Sequence, residues 1–548
     1  MPNILIQGRY RSCESTKESE APAPQRRRAH QSTPVLREEA LGVRYRDFPG
    51  LPPELFNGIT EASSDFLQQL VKLLLACCQT GMEKELESLV TDLIPQAVQK
   101  LGRELIGVVL TQQRGFLGTY LACDLKDKDG SPCTCTLEFQ RNQVSEVVTT
   151  LGTVKYSRAY YHGPCGHSAT PLDALLGLDG DHRVFPKVQE HIAHLCGQMP
   201  FDEARQTLER LTPIKLGKRT VETITHTVAG QLKAVQEEER RAAFHGPFKL
   251  PDGAAPPPVH IGVIAADGGY CRVHDHTEPT REFKIGAMGH YAPLPEGMRD
   301  FILRDGKRTR SAPLVVDKSY CGDLRPVDDF FERFTIEFYR AGLHHVSTLQ
   351  ILGDGADWIW KRLPQLASPT QKLMLCLDYY HADERLNDTA KALFPNDDER
   401  RQKWCEKKSE QLIQGHLASF FRDFRVVVRN AQNSGNTALA TLLEAQMNYF
   451  KVRRNYLCYR KCLDEGLLIG SGMIEGGVRF VAKDRLYRTG MIWNTAGADD
   501  ILNLRCLSNS GNRWESYFTA QAKSRRSRFD SRKQAWAAGV QERRAASK

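Results

Sequence analysis

The sequence predicts an α/β protein built on an open sheet whose strands end in acidic residues. Three observations carry that expectation. Apolar runs lead into Asp267 (PVHIGVIAADGG), Asp354 (LQILGDG) and Asp378 (KLMLCLDYYH), with glycine or a helical pattern beyond. Open α/β sheets present ligands at the carboxyl ends of their strands. Long stretches on either side repeat apolar residues at helical spacing, as in FLQQLVKLLLACC and FDEARQTLERL. Between them, 118–162 turns β-branched and alternating (TCTLEF, VVTTLGTVKYSRAYY), the pattern of a small antiparallel unit.

With 548 residues, the chain is too long for one ordinary core, and two to four domains are expected. The longest apolar run, VKLLLACC, is far too short to span a bilayer, and MPNILIQGRYRS lacks a secretory apolar segment. A cytoplasmic protein with no membrane partner is therefore expected. Fifteen cysteines, an odd number scattered through a large chain, read as reduced thiols. A net charge of +9 permits a polyanionic partner without requiring one.

In chain order, 1–58 is polar, proline-broken and carries QRRRAH, a disordered basic tail. A helical N-terminal domain follows over 59–117, then the β-rich unit over 118–170. Cys123, Cys133 and Cys135, with Cys165 and His167 beyond, are candidate zinc ligands there, and Cys133, Cys135, Cys165 and His167 make the favoured four. Cys-x-Cys and Cys-x-His are not the usual paired spacings, however, and buried thiols are the favoured reading. Residues 171–250 are helical. FDEARQTLERL, TPIKLG and KRTVETITHTVAGQLKAV outline a helix-turn-helix, a DNA-binding module with Lys218 and Arg219 exposed at the second helix. HGPFKLPDGAAPPP (245–258) is a proline-rich linker. The acidic strands lie in 257–505. A helical pattern over 385–450 separates Asp354 from Glu475, and 506–548 is a basic, flexible tail.

Each aspartate alone has a bland explanation, a hairpin turn at Asp267 or a helix cap at Asp354. Together with Glu475 in GSGMIEGG they supply hard oxygen ligands for Mg²⁺ or Mn²⁺, the ions that serve phosphodiester displacement in pairs. Gly476 and Gly477 inside a helix cost roughly 0.5–1 kcal/mol each, so something must approach that backbone closely. Arg479, Lys483, Arg485 and Arg488 follow as a row of candidate phosphate contacts, whereas Trp493 is assigned to the core.

The succession DGG (267–269), GDGADWI (353–359), DYYH (378–381), GSGMIEGG (470–477) and RLYRTGMIWN (485–494) resembles insertion-sequence transposases of bacteria with a DDE motif, the ISKra-type group. LGTVKYSRAYYHGPCGHSATPLDALLGL and FDEARQTLERLT are similar too, so the likeness spans roughly 150–510. It implies an RNase H-like catalytic core with an all-helical insertion. Asp267, Asp354 and Glu475 would be its metal-binding triad for two Mg²⁺ or Mn²⁺ ions. Asp378 and His381 would be an Asp-x-x-His motif in which His381 assists at the scissile phosphate. Implied partners are terminal inverted repeats, target DNA and further copies of the chain, in a nucleoid-associated enzyme. The chain departs from the group in having Gly163 where a cysteine is expected, and Asp484 and Tyr487 after the glutamate. Two other readings stay open: a domesticated DNA-binding regulator, and an RNase H-fold nuclease or resolvase without strand transfer.

Overall fold

The structure, a computed structural model, describes residues 39–546 apart from 41, 49, 128, 179–181, 247–249, 252–260, 276, 293–301, 305–306, 310–313 and 489. Most of the expected N-terminal tail and of the proline-rich linker lies outside the described residues. The chain is a mixed α/β protein.

A two-residue hairpin, β1 (Glu39–Ala40) and β2 (Val43–Arg44), precedes helices α1 (Pro53–Thr80), α2 (Met82–Ser88) and α3 (Ile94–Gln113). The first long helix thus begins at Pro53 rather than at 59, with the proline in its first turn, where a missing N–H costs nothing. Next comes an antiparallel sheet in the order β3-β4-β5-β6: Tyr120–Ala122, Thr136–Thr149, Gly152–His162 and Ser168–Ala169. Helix α3 lies on it so closely that a Cβ at Gly107 would stand 2.8 Å from the Lys155 carbonyl oxygen. Helices α4 (Pro171–Leu176), α5 (Pro186–Gln198), α6 (Phe201–Leu211) and α7 (Lys218–Phe244) follow.

The larger sheet has the order β11-β8-β7-β12-β13. Its strands are β7 (Ile261–Arg272), β8 (Thr280–Tyr291), β11 (Val315–Asp323), β12 (Thr348–Gly353) and β13 (Lys372–Leu377). A minor hairpin, β9 (Ile302–Arg304) and β10 (Lys307–Thr309), lies between β8 and β11 in the chain. β8 runs antiparallel to β7 and β11, while β12 is parallel to β7 and β13. Val263 and Ala265 of β7 enter one core and Ile264 and Ala266 the other, which is why this strand reads as an unbroken apolar run. Helices α8 (Val327–Arg340) and α9 (Asp357–Arg362) flank the crossovers. Beyond β13 comes the helical block α10 (Tyr379–Leu393), α11 (Asp398–Ile413), α12 (Leu417–Asn433), α13 (Thr437–Val452) and α14 (Tyr459–Asp464). The chain then returns to the sheet through α15 (Gly472–Gly477), a π-helical turn over Val478–Lys483, α16 (Asp484–Leu486), α17 (Thr495–Ser508) and α18 (Arg513–Ala546). Among the described residues no helix is long and apolar enough to cross a membrane.

The C-terminal segment corrects the expected tail. Residue 506 lies inside α17, and α18 is a long helix rather than a flexible basic run. Phe529 and Trp536, seven residues apart, fall on one face and bury themselves with Leu121, Leu137 and Tyr161 of the small sheet. The basic residues Lys523, Arg526 and Arg528 stay exposed, and Arg532 pairs with Asp124.

The 171–250 helices share a core with the larger sheet's elements. Val188, Ile192, Val221 and Val228 pack with Leu504, Leu507 and Trp514. Lys233 reaches Asp500 at 2.6 Å and Asp499 at 3.1 Å, and Arg240 pairs with Glu332 at 2.5 Å.

Candidate functional site

Register brings the three aspartates together, but only Asp354 and Asp378 follow strand ends. Asp267 lies within β7, which continues to Arg272 paired with β8 and so corrects the expectation that this strand ends or turns there. Leu352 of β12 lies opposite Ala265 of β7, and Gly353 lies opposite Leu377 of β13. Extending both ladders sets Asp354 beside Asp267 on one side and Asp378 on the other. The Asp354 carboxylate accepts the Ala356 N–H at 2.9 Å, and Gly355 takes φ +104°, a conformation suited to glycine. Helix α13 clamps this turn from above. Tyr449 donates its hydroxyl to the Asp354 carbonyl at 3.1 Å, and Arg453 donates to the Gly355 carbonyl at 2.6 Å. Neither residue is signalled by the sequence, because nothing local marks a helix in a distant insertion as the cover of a strand end.

Asp378 is fully buried and its lone pairs are used. One oxygen accepts the N–H groups of Tyr380 (2.5 Å) and His381 (3.1 Å), capping α10; the other accepts the Ser471 N–H (2.6 Å) and its hydroxyl. Its ligand atom lies within 4.8 Å of those of His381 and Glu475, yet its bonds make it an anchor for that pair rather than a free donor. Ser471 leads directly into α15, which carries Glu475 out to solvent.

The glycines around Glu475 divide into two kinds. A Cβ at Gly470 would meet the Tyr380 ring at 2.4 Å, and one at Gly477 would meet Tyr320 at 2.9 Å. Gly472 and Gly476 face open space, so no protein group demands them.

Electrostatics links Asp267 to Asp354 and to Glu475, whereas the close group of ligand atoms, Asp378, His381 and Glu475, includes neither Asp267 nor Asp354. Burial raises the Asp267 pKa, the Gly268 N–H opposes this, and the Asp354 charge raises it further, while His381 and Lys483 pull it down. Although Glu475 reaches solvent, partial desolvation of its carboxyl raises it, followed by the charge of Asp378, then those of Glu384 and Asp267, with His381 opposing. His381 stands 3.3 Å from Glu384.

The basic row separates. Arg479 and Lys483 are exposed, and Lys483 is close enough to influence Asp267. Arg488 is exposed but pairs with Glu203 at 3.0 Å. Arg485 does not join them: it is completely buried, donates to the Cys196 carbonyl at 3.0 Å, and lies over the rings of Trp493 (4.8 Å) and Phe201 (5.5 Å). Standing two residues after Lys483, it points to the opposite side of the helix, which corrects its assignment as a phosphate contact. Trp493 is buried, with its N–H bonded to the Leu486 carbonyl at 3.1 Å. Lys218 and Arg219 are exposed at the start of α7, outside the acidic group.

A second cluster lies in the small sheet. Cys123, Cys133, Cys165 and His167 hold their ligand atoms within 4.8 Å of one another. Cys123, a candidate left out of the favoured four, completes the set in place of Cys135. The Cys123 N–H bonds the Cys135 carbonyl at 2.9 Å, so a strand pairing, invisible in spacing, brings Cys123 into place. Burial pushes the Cys123 thiol up to about 12, whereas a backbone bond from Cys135 holds Cys133 down to about 6.

Fold and site together define a mixed α/β protein with aspartates on and beyond adjacent strands of a five-stranded sheet and a glutamate on the helix beside them. The chain is similar to the UPF0236 protein in vanSb 3'region of Streptococcus gallolyticus, at 23% identity over 438 residues covering 78% of this chain and 83% of that protein. No family model matches the chain.

Proposed function

We propose that the chain is a DNA transposase with an RNase H-like core, cutting at the ends of an insertion sequence and joining them to target DNA. The observation that carries this reading is the register that sets Asp354, just past the end of β12, beside Asp267 within β7, with Glu475 on α15 close enough to Asp267 to feel its charge. An antiparallel three-strand meander extended by two parallel strands suits such a core. The donor set fits divalent cations: its oxygens are hard, and after burial, which is the main cause of the raised Asp267 and Glu475 carboxyls, neighbouring carboxylates raise both further. Two Mg²⁺ or Mn²⁺ ions held there would neutralise charge at a phosphodiester and activate the attacking oxygen.

The chain's own groups supply positioning. Asp378 holds His381 beside the acids, where the imidazole meets the scissile phosphate. Arg479 and Lys483 meet the flanking backbone, and the open Gly472 and Gly476 admit it close to α15. Cys123, Cys133, Cys165 and His167 would hold a structural zinc, a four-ligand thiolate–imidazole set typical of that ion. DNA ends, target DNA and a second copy of the chain are the partners this reading requires.

The test is divalent-metal-dependent cleavage and joining of DNA that carries the inverted repeats flanking the gene. Asp267→Asn, Asp354→Asn and Glu475→Gln should each abolish both steps and leave DNA binding intact. Near-normal cleavage by any one variant removes that residue from the triad; cleavage without joining favours the nuclease reading.

A further inference from the structure

A second sulfur cluster sits behind the acidic site. Cys376 of β13 and Cys458 and Cys462, on the turn before α14 and within it, hold their Sγ atoms within 4.8 Å of one another, and Cys458 and Cys462 are 3.6 Å apart. Cys376 and Cys462 are fully buried, whereas Cys458 is partly accessible. Cys458 donates to the Leu375 carbonyl at 3.0 Å. The Gln350 side chain is held by the Tyr291 hydroxyl and the Leu468 carbonyl, and aims its N–H at Cys462 Sγ from 3.7 Å.

We propose that Cys376, Cys458 and Cys462 form a binding site for a soft, low-coordinate metal ion, with Cu(I) as its fitting occupant. Three sulfurs with no nitrogen or oxygen lone pair in the group select soft ions over hard ones. The neighbouring amide offers a donor, which favours thiolate but cannot complete the four-ligand shell of a structural zinc. Metal–sulfur bonds of about 2.3 Å in a trigonal array would set the sulfurs about 4 Å apart. The observed spacing needs only small adjustment to reach that. Partial exposure of Cys458 gives the ion a way in. On binding, each ligating thiol releases its proton to solvent and three S–Cu bonds form; copper stays monovalent and no electron moves.

The site lies at the root of the segment that delivers Glu475. The Cys462 carbonyl accepts the Leu467 N–H at 2.7 Å, Gln350 holds Leu468, and the Ile469 carbonyl accepts the Tyr379 N–H at 2.9 Å. An ion joining α14 to β13 would pin this root. The inference stands on its own residues and does not rest on the transposase reading.

The test uses the full chain, reduced, anaerobic and saturated with zinc first so that the other thiol cluster is filled. Titration with Cu(I) against a chromogenic chelator should show one equivalent bound, with near-ultraviolet sulfur-to-copper absorption. Cys458, the accessible member, should become protected from alkylation in peptide mapping. Cys458→Ser should lose that equivalent, while Cys405→Ser, a buried cysteine elsewhere, keeps it. Uptake unchanged in Cys458→Ser, or no protection of Cys458 in the unaltered chain, overturns the proposal. Should Cys458→Ser fail to fold, the protection pattern of the unaltered chain decides alone.

Discussion

Asp378 and Ser471 are bonded twice, through the backbone N–H of Ser471 at 2.6 Å and through its hydroxyl, across 93 residues of sequence. This junction fixes the end of β13 to the entrance of α15, and with it the distance between the strand-end acids and Glu475. Ser471→Ala removes one buried bond to a charged acceptor, a loss of about 1.5–3 kcal/mol. Asp378→Ala should cost more, because it leaves the N–H groups of Tyr380, His381 and Ser471 without their acceptor. Denaturant melts would rank the two. On the proposed function, Ser471→Ala also slows cleavage more than it weakens DNA binding; equal losses in both would reduce the junction to a stability role.

Metal-free stability should respond to the acids in a direction opposite to most mutations. Asp267 and Glu475 both have raised pKa values, first through burial. Their ionised forms are therefore less favourable in the folded chain than in the unfolded one. This contribution to stability is present below the ordinary carboxylate range, and it is lost as pH rises through the folded values. At neutral pH, Asp267→Asn should raise the melting temperature of the metal-free protein, by roughly 2–4 °C for each kcal/mol in a domain of this size. Mg²⁺ should stabilise the unaltered chain and not the variant. Calorimetry with and without Mg²⁺ measures both, and a lower melting temperature for metal-free Asp267→Asn contradicts the argument.

The proposed zinc site makes a discriminating pair of variants. Cys123→Ser should remove stoichiometric zinc, while Cys135→Ser should retain it, since only Cys123 belongs to the four-atom group. Metal analysis of the two purified proteins settles the assignment. Loss of zinc in Cys135→Ser alone would restore the ligand set read from the sequence.

What could be read from the sequence followed the local physics. The strands ending at Gly353 and Leu377 announce themselves because a buried parallel strand is an unbroken apolar run that stops at a polar residue. Glycine beside Asp354 likewise signals a turn, and Gly355 adopts one. What was hidden depends on partners distant in the chain. Trp536 and Phe529 turn a basic segment into a packed helix only because the small sheet offers Leu121 and Tyr161 to cover them. Cys123 joins Cys133 through a strand pairing, and Tyr449 and Arg453 reach the Asp354 turn from an insertion helix. Arg485 shows a different failure, in which a run of basic residues conceals which face of the helix each one takes.

That face distinction gives the last prediction. Arg485 is enclosed by Trp493 and Phe201, with no carboxylate among the hydrogen bonds and ion pairs of the described residues, and burial lowers its pKa to about 10. Truncating it to alanine removes aromatic packing and leaves a cavity, so a loss of about 2–5 kcal/mol is expected, on the scale of large-to-small core changes. On the proposed function, folded Arg485→Ala should bind DNA with an unaltered salt dependence, because its buried guanidinium is out of reach of a phosphate. Arg479→Ala with Lys483→Ala should do the reverse. Both side chains are exposed, so stability should change by no more than about 0.5 kcal/mol. Affinity for specific and scrambled duplexes should fall together, and the slope of log affinity against log salt should flatten by about 0.9 for each phosphate no longer neutralised. Binding isotherms at several salt concentrations, taken beside denaturant melts, read both quantities for both proteins. A flattened slope in Arg485→Ala, or an unchanged one in the double variant, would mean that DNA runs along a different face of this helix.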